Sequence, residues 1–138
     1  ESLSERMADL SRVGRRMAGQ TLLSSNRVDI LQNGDAAYPA MLSEIEAAKH
    51  SICLATYIFR SDDVGEQFAN ALISAHQRGV EIRVLVDAIG SGFLVSRVVR
   101  KLKAEGLHVA RFMFDRHPWS MAFINLRNHK KLLLIDVY

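Results

Sequence analysis

A histidine and a lysine lie two positions apart near the end of the chain, in the segment NLRNHKKLLLID that covers residues 125–136. Four apolar residues follow Lys131, and Asp136 comes directly after them. A short apolar run of this kind, bounded by charged residues, is typical of a buried β-strand. The segment therefore predicts reactive polar groups at the two ends of a strand that packs into a core.

The spacing of His129 and Lys131 suits chemistry on a phosphodiester. Side chains alternate between the faces of a strand, so both groups are expected on one face, with Cα atoms about 7 Å apart. The ammonium can hold the non-bridging oxygens by charge, while the imidazole attacks phosphorus or transfers a proton. Strict alternation places Asp136 on the opposite face, where we expect it to brace backbone or a neighbouring side chain unless a β-bulge turns it.

The composition is that of a folded globular chain. Its 138 residues fit one domain, and the 49% of hydrophobic and 24% of charged residues exclude the disordered class. No stretch approaches 18 consecutive apolar residues, so no membrane-spanning helix is predicted. The single cysteine, Cys53, excludes a disulfide within the chain, and its apolar surroundings predict a buried thiol.

Charge is distributed unevenly along the chain. Residues 27–96 carry five Lys and Arg against nine Asp and Glu, whereas residues 97–131 carry nine against two. A concentrated positive field suits a phosphate-bearing partner, either a lipid headgroup or a nucleic acid. A solvated basic face without a partner accounts for the same pattern.

Two regions are expected. Residues 1–26 form a lead-in with an amphipathic, arginine-rich helical pattern, which either lies on an anionic membrane or packs on its own domain or a neighbour. Residues 27–138 alternate between strand and helix patterns. Strands are predicted at 27–34, 51–59, 81–87, 108–114 and 131–136, and helices at 36–49, from Asp62 or Asp63 to Gly79, and through Leu94 to Gly106. Such alternation predicts an α/β sandwich with a mainly parallel sheet between helices.

The pattern His129-x-Lys131-(x)4-Asp136 resembles the HKD motif of the phospholipase D superfamily. Further stretches resemble its bacterial cardiolipin synthase branch, and the likeness runs from about residue 27 to 136. These stretches are Tyr57-Ile58-Phe59, Asp62-Asp63-Val64-Gly65, Arg78-Gly79-Val80 before RVLVD, Gly90-Ser91, and Asn125-Leu126-Arg127-Asn128.

The resemblance implies a phospholipase D-like α-β-α fold and a catalytic site at His129, Lys131 and Asp136, with Asn128 adjacent but not catalytic. Enzymes of this superfamily join two HKD motifs in one active site, where one histidine forms a phosphohistidine and the other transfers protons. In the cardiolipin synthase branch, one phosphatidylglycerol donates the phosphatidyl group and another accepts it, without a metal or organic cofactor. The resemblance also implies a bacterial enzyme at the inner membrane, with this segment peripheral to an anionic surface.

The sequence departs from the superfamily pattern in two respects. It contains one HKD motif, and Val137-Tyr138 stands where a glycine commonly begins the next part of the site. We therefore expect an N-terminal half, cut after its first HKD strand. Its second HKD half would come from a missing C-terminal domain or a homodimer mate, and the fragment alone should be inactive.

Two other functions remain open. A phospholipase D-like phosphodiesterase, either nuclease or phospholipase, would use water in place of the acceptor alcohol. Nucleic acid is the less favoured partner, because the sequence lacks the interleaved aromatic residues that stack single strands. A non-catalytic interaction module would not require His129 and Lys131. A loop at 115–126, with Trp119 among its apolar residues, is expected either to touch lipid or to pack on the missing half.

Overall fold

The computed structural model describes residues 3–19, 26–87, 96–112 and 130–137. The chain divides into two units, Glu1–Leu31 and Gln32–Tyr138. The first contains helix α1, and the second contains the other helices and a four-stranded sheet. In chain order the elements are α1 (Leu3–Ala18), α2 (Asn33–Ala47), β1 (Ser51–Thr56), α3 (Asp63–Gln77), β2 (Glu81–Asp87), α4 (Arg97–Ala104), β3 (His108–Phe112) and β4 (Leu132–Ile135).

The sheet has the strand order β3-β2-β1-β4. Strands β1, β2 and β3 are parallel, whereas β4 runs antiparallel to β1, with Leu132 opposite Ala55 and Ile135 opposite Ile52. The α/β fold with a mainly parallel sheet is therefore confirmed. Because β4 is antiparallel, its first residue lies at the end of the sheet where β1 and β2 finish.

Helices α2, α3 and α4 pack together over one face of this sheet. Connections between parallel strands are almost always right-handed, so two successive steps in one direction, β1 to β2 and β2 to β3, place α3 and α4 on the same side. The alternate residues of each strand that face the helices form the core. Its most deeply buried members include Ile45, Ile52, Leu72, Ile82, Val84, Val98 and Leu102.

The opposite face of the sheet is open in the part of the chain that the structure describes. Leu132 and Leu134 of β4 are 50% and 48% exposed, and they lie beside Cys53 and Ala55 of β1. Cys53 is exposed, so the prediction of a buried thiol was wrong. Alternation explains the error, because Cys53 points away from the helices, whereas its neighbours Ile52 and Leu54 point toward them.

The strand predicted at residues 27–34 was also wrong. Residues 26–32 have no regular structure, and Val28 and Ile30 are 84% and 88% exposed. An alternating pattern forms a strand only where another strand supplies hydrogen bonds, and the described sheet has no member from this segment. Helix α2 begins at Asn33, three residues before the predicted start at residue 36, and Pro39 lies inside it.

Helix α1 ends at Ala18, and Gly19 follows with φ +64°. Its apolar residues Met7, Leu10 and Met17 are at least 60% exposed. Its last turn carries Arg15 and Arg16, where positive charge is favourable against the helix dipole. The predicted lead-in therefore contains a helix.

The start of α3 is fixed by a side-chain cap and by a close backbone approach. The Asp62 carboxylate accepts a hydrogen bond from the Gly65 N–H at 2.9 Å, which resolves the choice between Asp62 and Asp63 as the cap. Gly65 is buried, and a Cβ added there would collide with the Arg60 carbonyl oxygen. Only glycine fits without moving the chain between β1 and α3.

Replacing Gly65 by alanine is expected to destabilise the protein by about 1–3 kcal/mol, because the backbone at Arg60 must shift to admit the methyl group. Urea unfolding followed by circular dichroism measures this change. Gly14→Ala is the matched control, since a Cβ at Gly14 meets nothing within 4 Å and alanine favours a helix. Equal stability of the Gly65 variant and wild type would contradict the close approach.

Candidate active site

Lys131 immediately precedes β4 and lies at the carboxyl end of β1. The pairing of Leu132 with Ala55 places Lys131 beside Thr56, the last residue of β1. Ligands of α/β proteins characteristically bind at this end of the parallel strands. Lys131 is exposed and lines a cleft of about 570 Å³ with residues from α2, α3 and the segment after β1. Its ammonium is therefore available to an anionic ligand.

His129 lies outside the described residues, as do Asn128 and the loop that carries Trp119. Its place on the same face as Lys131 stays a prediction from strand alternation. Lys130, the first described residue before β4, is exposed, and alternation directs it away from the face that Lys131 occupies.

Asp136 lies at the other end of β4. Its carboxylate accepts three backbone hydrogen bonds from the turn that leads into β1: from Lys49 at 3.0 Å, His50 at 2.7 Å and Ser51 at 2.9 Å. Its own N–H donates to the Ser51 carbonyl at 2.9 Å. A φ of +48° turns the chain at this point, a conformation that aspartate tolerates better than most residues.

These bonds lower the pKa of Asp136 from 3.8 to about 2, with the Ser51 N–H as the largest cause, followed by those of Lys49 and His50. Hydrogen bonds from three donors stabilise the charged form of the carboxylate more than its protonated form. Asp136 is therefore a permanent anion at neutral pH, and its charge is committed to the backbone.

Lys131 and Asp136 do not share a site. Five residue steps of extended chain separate their Cα atoms by about 16 Å, and they lie at opposite ends of β4. The expectation that Asp136 braces backbone agrees with this geometry. The aspartate holds the far end of β4 against β1, which fixes the register that places Lys131 at the cleft.

The turn before β1 is held from a second side by Arg78. Its guanidinium donates to the carbonyl oxygens of Ile45 at 3.1 Å and Glu46 at 2.9 Å, which lie in the last turn of α2. Arg78 thus satisfies carbonyls that a helix end leaves unpaired, while Asp136 satisfies N–H groups just beyond it. The α2–β1 corner is anchored to both α3 and β4.

Sequence reasoning did not identify Arg60 and Ser61, which follow β1 near the same cleft. Arg60 lines the cleft of Lys131, and it also borders a polar depression formed by Ser61, Asp62 and Ser96. The Ser61 hydroxyl accepts a hydrogen bond from the Val98 N–H at 3.3 Å and so joins the start of α4 to the loop after β1. The only signal in the sequence was the position of Arg60 after a buried strand.

Of two acidic residues near this end of the sheet, one is buried and the other caps a helix. Asp87, the last residue of β2, is 2% exposed. Asp62 is committed to the cap of α3. Among residues 3–19, 26–87, 96–112 and 130–137, no group of three His, Cys, Asp or Glu side chains is placed to hold a metal ion.

The fold is shared with solved structures, one of which belongs to the phospholipase D family. A phospholipase D family member, Nuc from Salmonella typhimurium, superposes with a TM-score of 0.52 at 24% identity, over 73% of this chain and 58% of that one. An archaeal chromatin protein with a novel mode of DNA binding, TrmBL2, gives a TM-score of 0.52 at 16% identity, over 96% and 47%. At these identities the likeness defines the fold class.

Residues 41–138 match the family described as "Cardiolipin synthase, PLD-like domain", and the chain belongs to that family. Cardiolipin synthase 1 of Bacillus anthracis is 34% identical over 97% of this chain and 26% of its own length. Cardiolipin synthase of Oceanobacillus iheyensis is 41% identical over 83% and 24%. Cardiolipin synthase A of Pseudomonas aeruginosa is 35% identical over 88% and 25%.

The chain spans about a quarter of the length of these relatives. In the part of the chain that the structure describes, no helix is both long enough and apolar enough to cross a membrane.

Proposed function

We propose that this chain supplies one half of the active site of a phosphatidyltransferase, which makes cardiolipin from two molecules of phosphatidylglycerol. The observation that carries the proposal is the family match together with the position of Lys131. Lys131, the lysine of the HKD pattern, is exposed at the carboxyl end of the parallel strands, beside a cleft of suitable size for a ligand.

The proposed reaction has two displacements at phosphorus. In the first, a histidine nitrogen forms a P–N bond while the P–O bond to the departing glycerol breaks, and a second histidine gives that oxygen its proton. In the second, the second histidine takes a proton from the acceptor hydroxyl, whose oxygen attacks phosphorus as the P–N bond breaks. Lys131 holds the non-bridging oxygens and stabilises the charge that develops on them in both steps.

His129 provides one of the two histidines in this proposal, and a second HKD segment provides the other. That segment belongs either to a further domain of a longer chain or to a second copy of this one. Asp136 has no role at phosphorus and acts by fixing the register of β4. No metal or organic cofactor takes part, and the site works at the anionic inner membrane of a bacterium, with this domain at its surface.

Residues 1–138 alone are expected to show no measurable transfer or phosphodiesterase activity, because a single HKD segment lacks the second proton-transferring histidine. The check is an assay of the purified chain with phosphatidylglycerol vesicles and with a soluble phosphodiester. Robust turnover that His129→Ala abolishes would overturn the expectation and indicate a self-sufficient homodimer.

Hydrolysis of nucleic acid is the second candidate, favoured by the basic charge of residues 97–131 and by the DNA binding of one structural neighbour, the chromatin protein TrmBL2. A full-length enzyme that carries this segment distinguishes the two when it is offered phosphatidylglycerol vesicles and, separately, plasmid DNA. Cardiolipin without DNA cleavage supports the transferase, whereas nicked DNA without a lipid product refutes it.

A further inference from the structure

The cleft beside Lys131 has mainly apolar walls. Its lining comes from α2, the first turns of α3, the segment after β1 and the start of β4. The volume of about 570 Å³ lies in the range of sites that bury small organic ligands. The larger apolar side chains that α2, α3 and the segment after β1 contribute are Tyr38, Met41, Ile58, Phe59, Val64 and Phe68.

The inner wall of the cleft is part of the hydrophobic core. Phe59 and Phe68 are 5% and 8% exposed, and the Phe68 ring meets Tyr38 edge-on, with ring centroids 5.9 Å apart. Ile58 and Val64, in contrast, are 45% and 38% exposed. The cleft therefore offers apolar surface to solvent on a wall that the core holds in place.

Positive charge accompanies this apolar surface. Lys131 and Arg60 both line the cleft and are exposed. Within residues 32–87, 96–112 and 130–137, neither of them forms an ion pair with a carboxylate. The carboxylate of Asp62, which also lines the cleft, accepts a hydrogen bond from the Gly65 N–H. The cleft thus suits a ligand that carries both an anionic group and a hydrocarbon chain.

We infer that this cleft takes an acyl chain of the phospholipid whose phosphate Lys131 holds. The inference rests on the proposed function and adds the location of the hydrocarbon part of the substrate. A free phosphate or a nucleic-acid backbone would leave Ile58 and Val64 in water, whereas an acyl chain covers them. The hydrocarbon chain then helps to position the phosphate at the lysine.

The experiment measures binding of three soluble probes to residues 1–138 by isothermal titration: glycerophosphoglycerol, dibutanoyl- and dihexanoyl-phosphatidylglycerol, all as monomers. Each buried methylene strengthens binding by about fourfold. If one chain enters the cleft, the two added methylenes of the hexanoyl probe should improve affinity by about fifteenfold over the butanoyl probe. The deacylated probe should bind most weakly.

A matched pair of variants locates the hydrocarbon. Ile58 and Leu134 are 45% and 48% exposed, but Leu134 lies on the open face of the sheet and not in the cleft. Ile58→Gln should bring the ratio of hexanoyl to butanoyl affinity close to one, and Leu134→Gln should leave it at about fifteen. Val64→Gln, at an exposed helix position, repeats the test if Ile58→Gln does not fold by circular dichroism.

Lys131→Met separates this inference from the proposed function, because it should weaken all three probes by a similar factor. If wild type binds the hexanoyl and butanoyl probes equally and this binding depends on Lys131, the acyl-chain site is overturned, whereas the proposed function still stands. A ratio that depends on Ile58 while Lys131→Met changes nothing supports the cleft and contradicts the function. If Leu134→Gln alone removes the dependence of affinity on acyl-chain length, the chain binds the open face of the sheet and the inference is overturned. If wild type self-associates and Ile58→Gln prevents this, a second copy of the chain occupies the cleft and the inference is likewise overturned.

Discussion

In a full-length cardiolipin synthase that carries this segment, Lys131→Met is expected to lower kcat/KM for phosphatidylglycerol by about 100- to 1,000-fold. The ammonium is exposed at the carboxyl end of β1, where it can meet the non-bridging oxygens of a phosphodiester. Methionine preserves the length and apolar stem of the side chain but removes its charge. The measurement is the initial rate of cardiolipin formation in phosphatidylglycerol vesicles.

The adjacent lysine is the control for this prediction. Lys130→Met removes the same charge one residue away, at a residue that does not line the cleft, and should change the rate by less than about threefold. Lys131→Arg should recover only part of the activity, because a planar guanidinium replaces a compact point charge. Equal losses in the Lys130 and Lys131 variants would show that overall charge matters and that the position of Lys131 does not.

Asp136→Asn is expected to cause the largest loss of stability among exchanges that preserve side-chain shape. The carboxylate accepts hydrogen bonds from three consecutive backbone N–H groups, and the amide that replaces it has one acceptor oxygen and no charge. The turn before β1 and the end of β4 both lose their anchor. Urea unfolding at pH 7 should show a clearly lower midpoint for the variant than for wild type.

The contribution of the Asp136 carboxylate to the free energy of unfolding should depend on pH in a defined window. The pKa of Asp136 is about 2 in the folded chain, against 3.8 for an unperturbed aspartate. Between these values the unfolded chain binds a proton that the folded chain does not, so stability rises with pH there. The stabilisation is full above about pH 5 and is lost as the pH falls through about 2.

Unfolding of wild type and Asp136→Asn should therefore differ strongly at pH 7 and converge near pH 2. A carboxyl carbon NMR titration assigned to Asp136 provides the direct check of its pKa. A titration midpoint near 4, or a stability difference that does not change with pH, would contradict the network of backbone hydrogen bonds.

Sequence patterns predicted elements whose signals are local. The strand at 81–87 and the helix from Asp63 to Gln77 were located to within a residue or two, because burial on one face imposes a clear period on each. Asp62 supplied a helix cap, and Gly79 ended the helix with φ +91°, a conformation that favours glycine. These signals act within a few residues, so they can be identified without knowing the rest of the fold.

Features that depend on residues distant in the chain could not be predicted from the sequence patterns. The alternation at 27–34 matches a strand, but no strand of the described sheet pairs with it. Cys53 lies in an apolar segment, yet its exposure depends on which face the helices cover. Alternation indicated that Asp136 faces away from Lys131, but its partners are 85–87 residues away in the chain. Only the sheet topology identifies them.

The most direct test of the proposed site compares two histidines in a full-length cardiolipin synthase that carries this segment. His129 occupies the HKD position, whereas His108 is an exposed residue at the start of β3. We predict that His129→Ala abolishes cardiolipin formation from phosphatidylglycerol vesicles and that His108→Ala retains it. Robust cardiolipin formation by the His129→Ala enzyme would contradict the proposal that this segment supplies half of a phosphatidyl-transferring site.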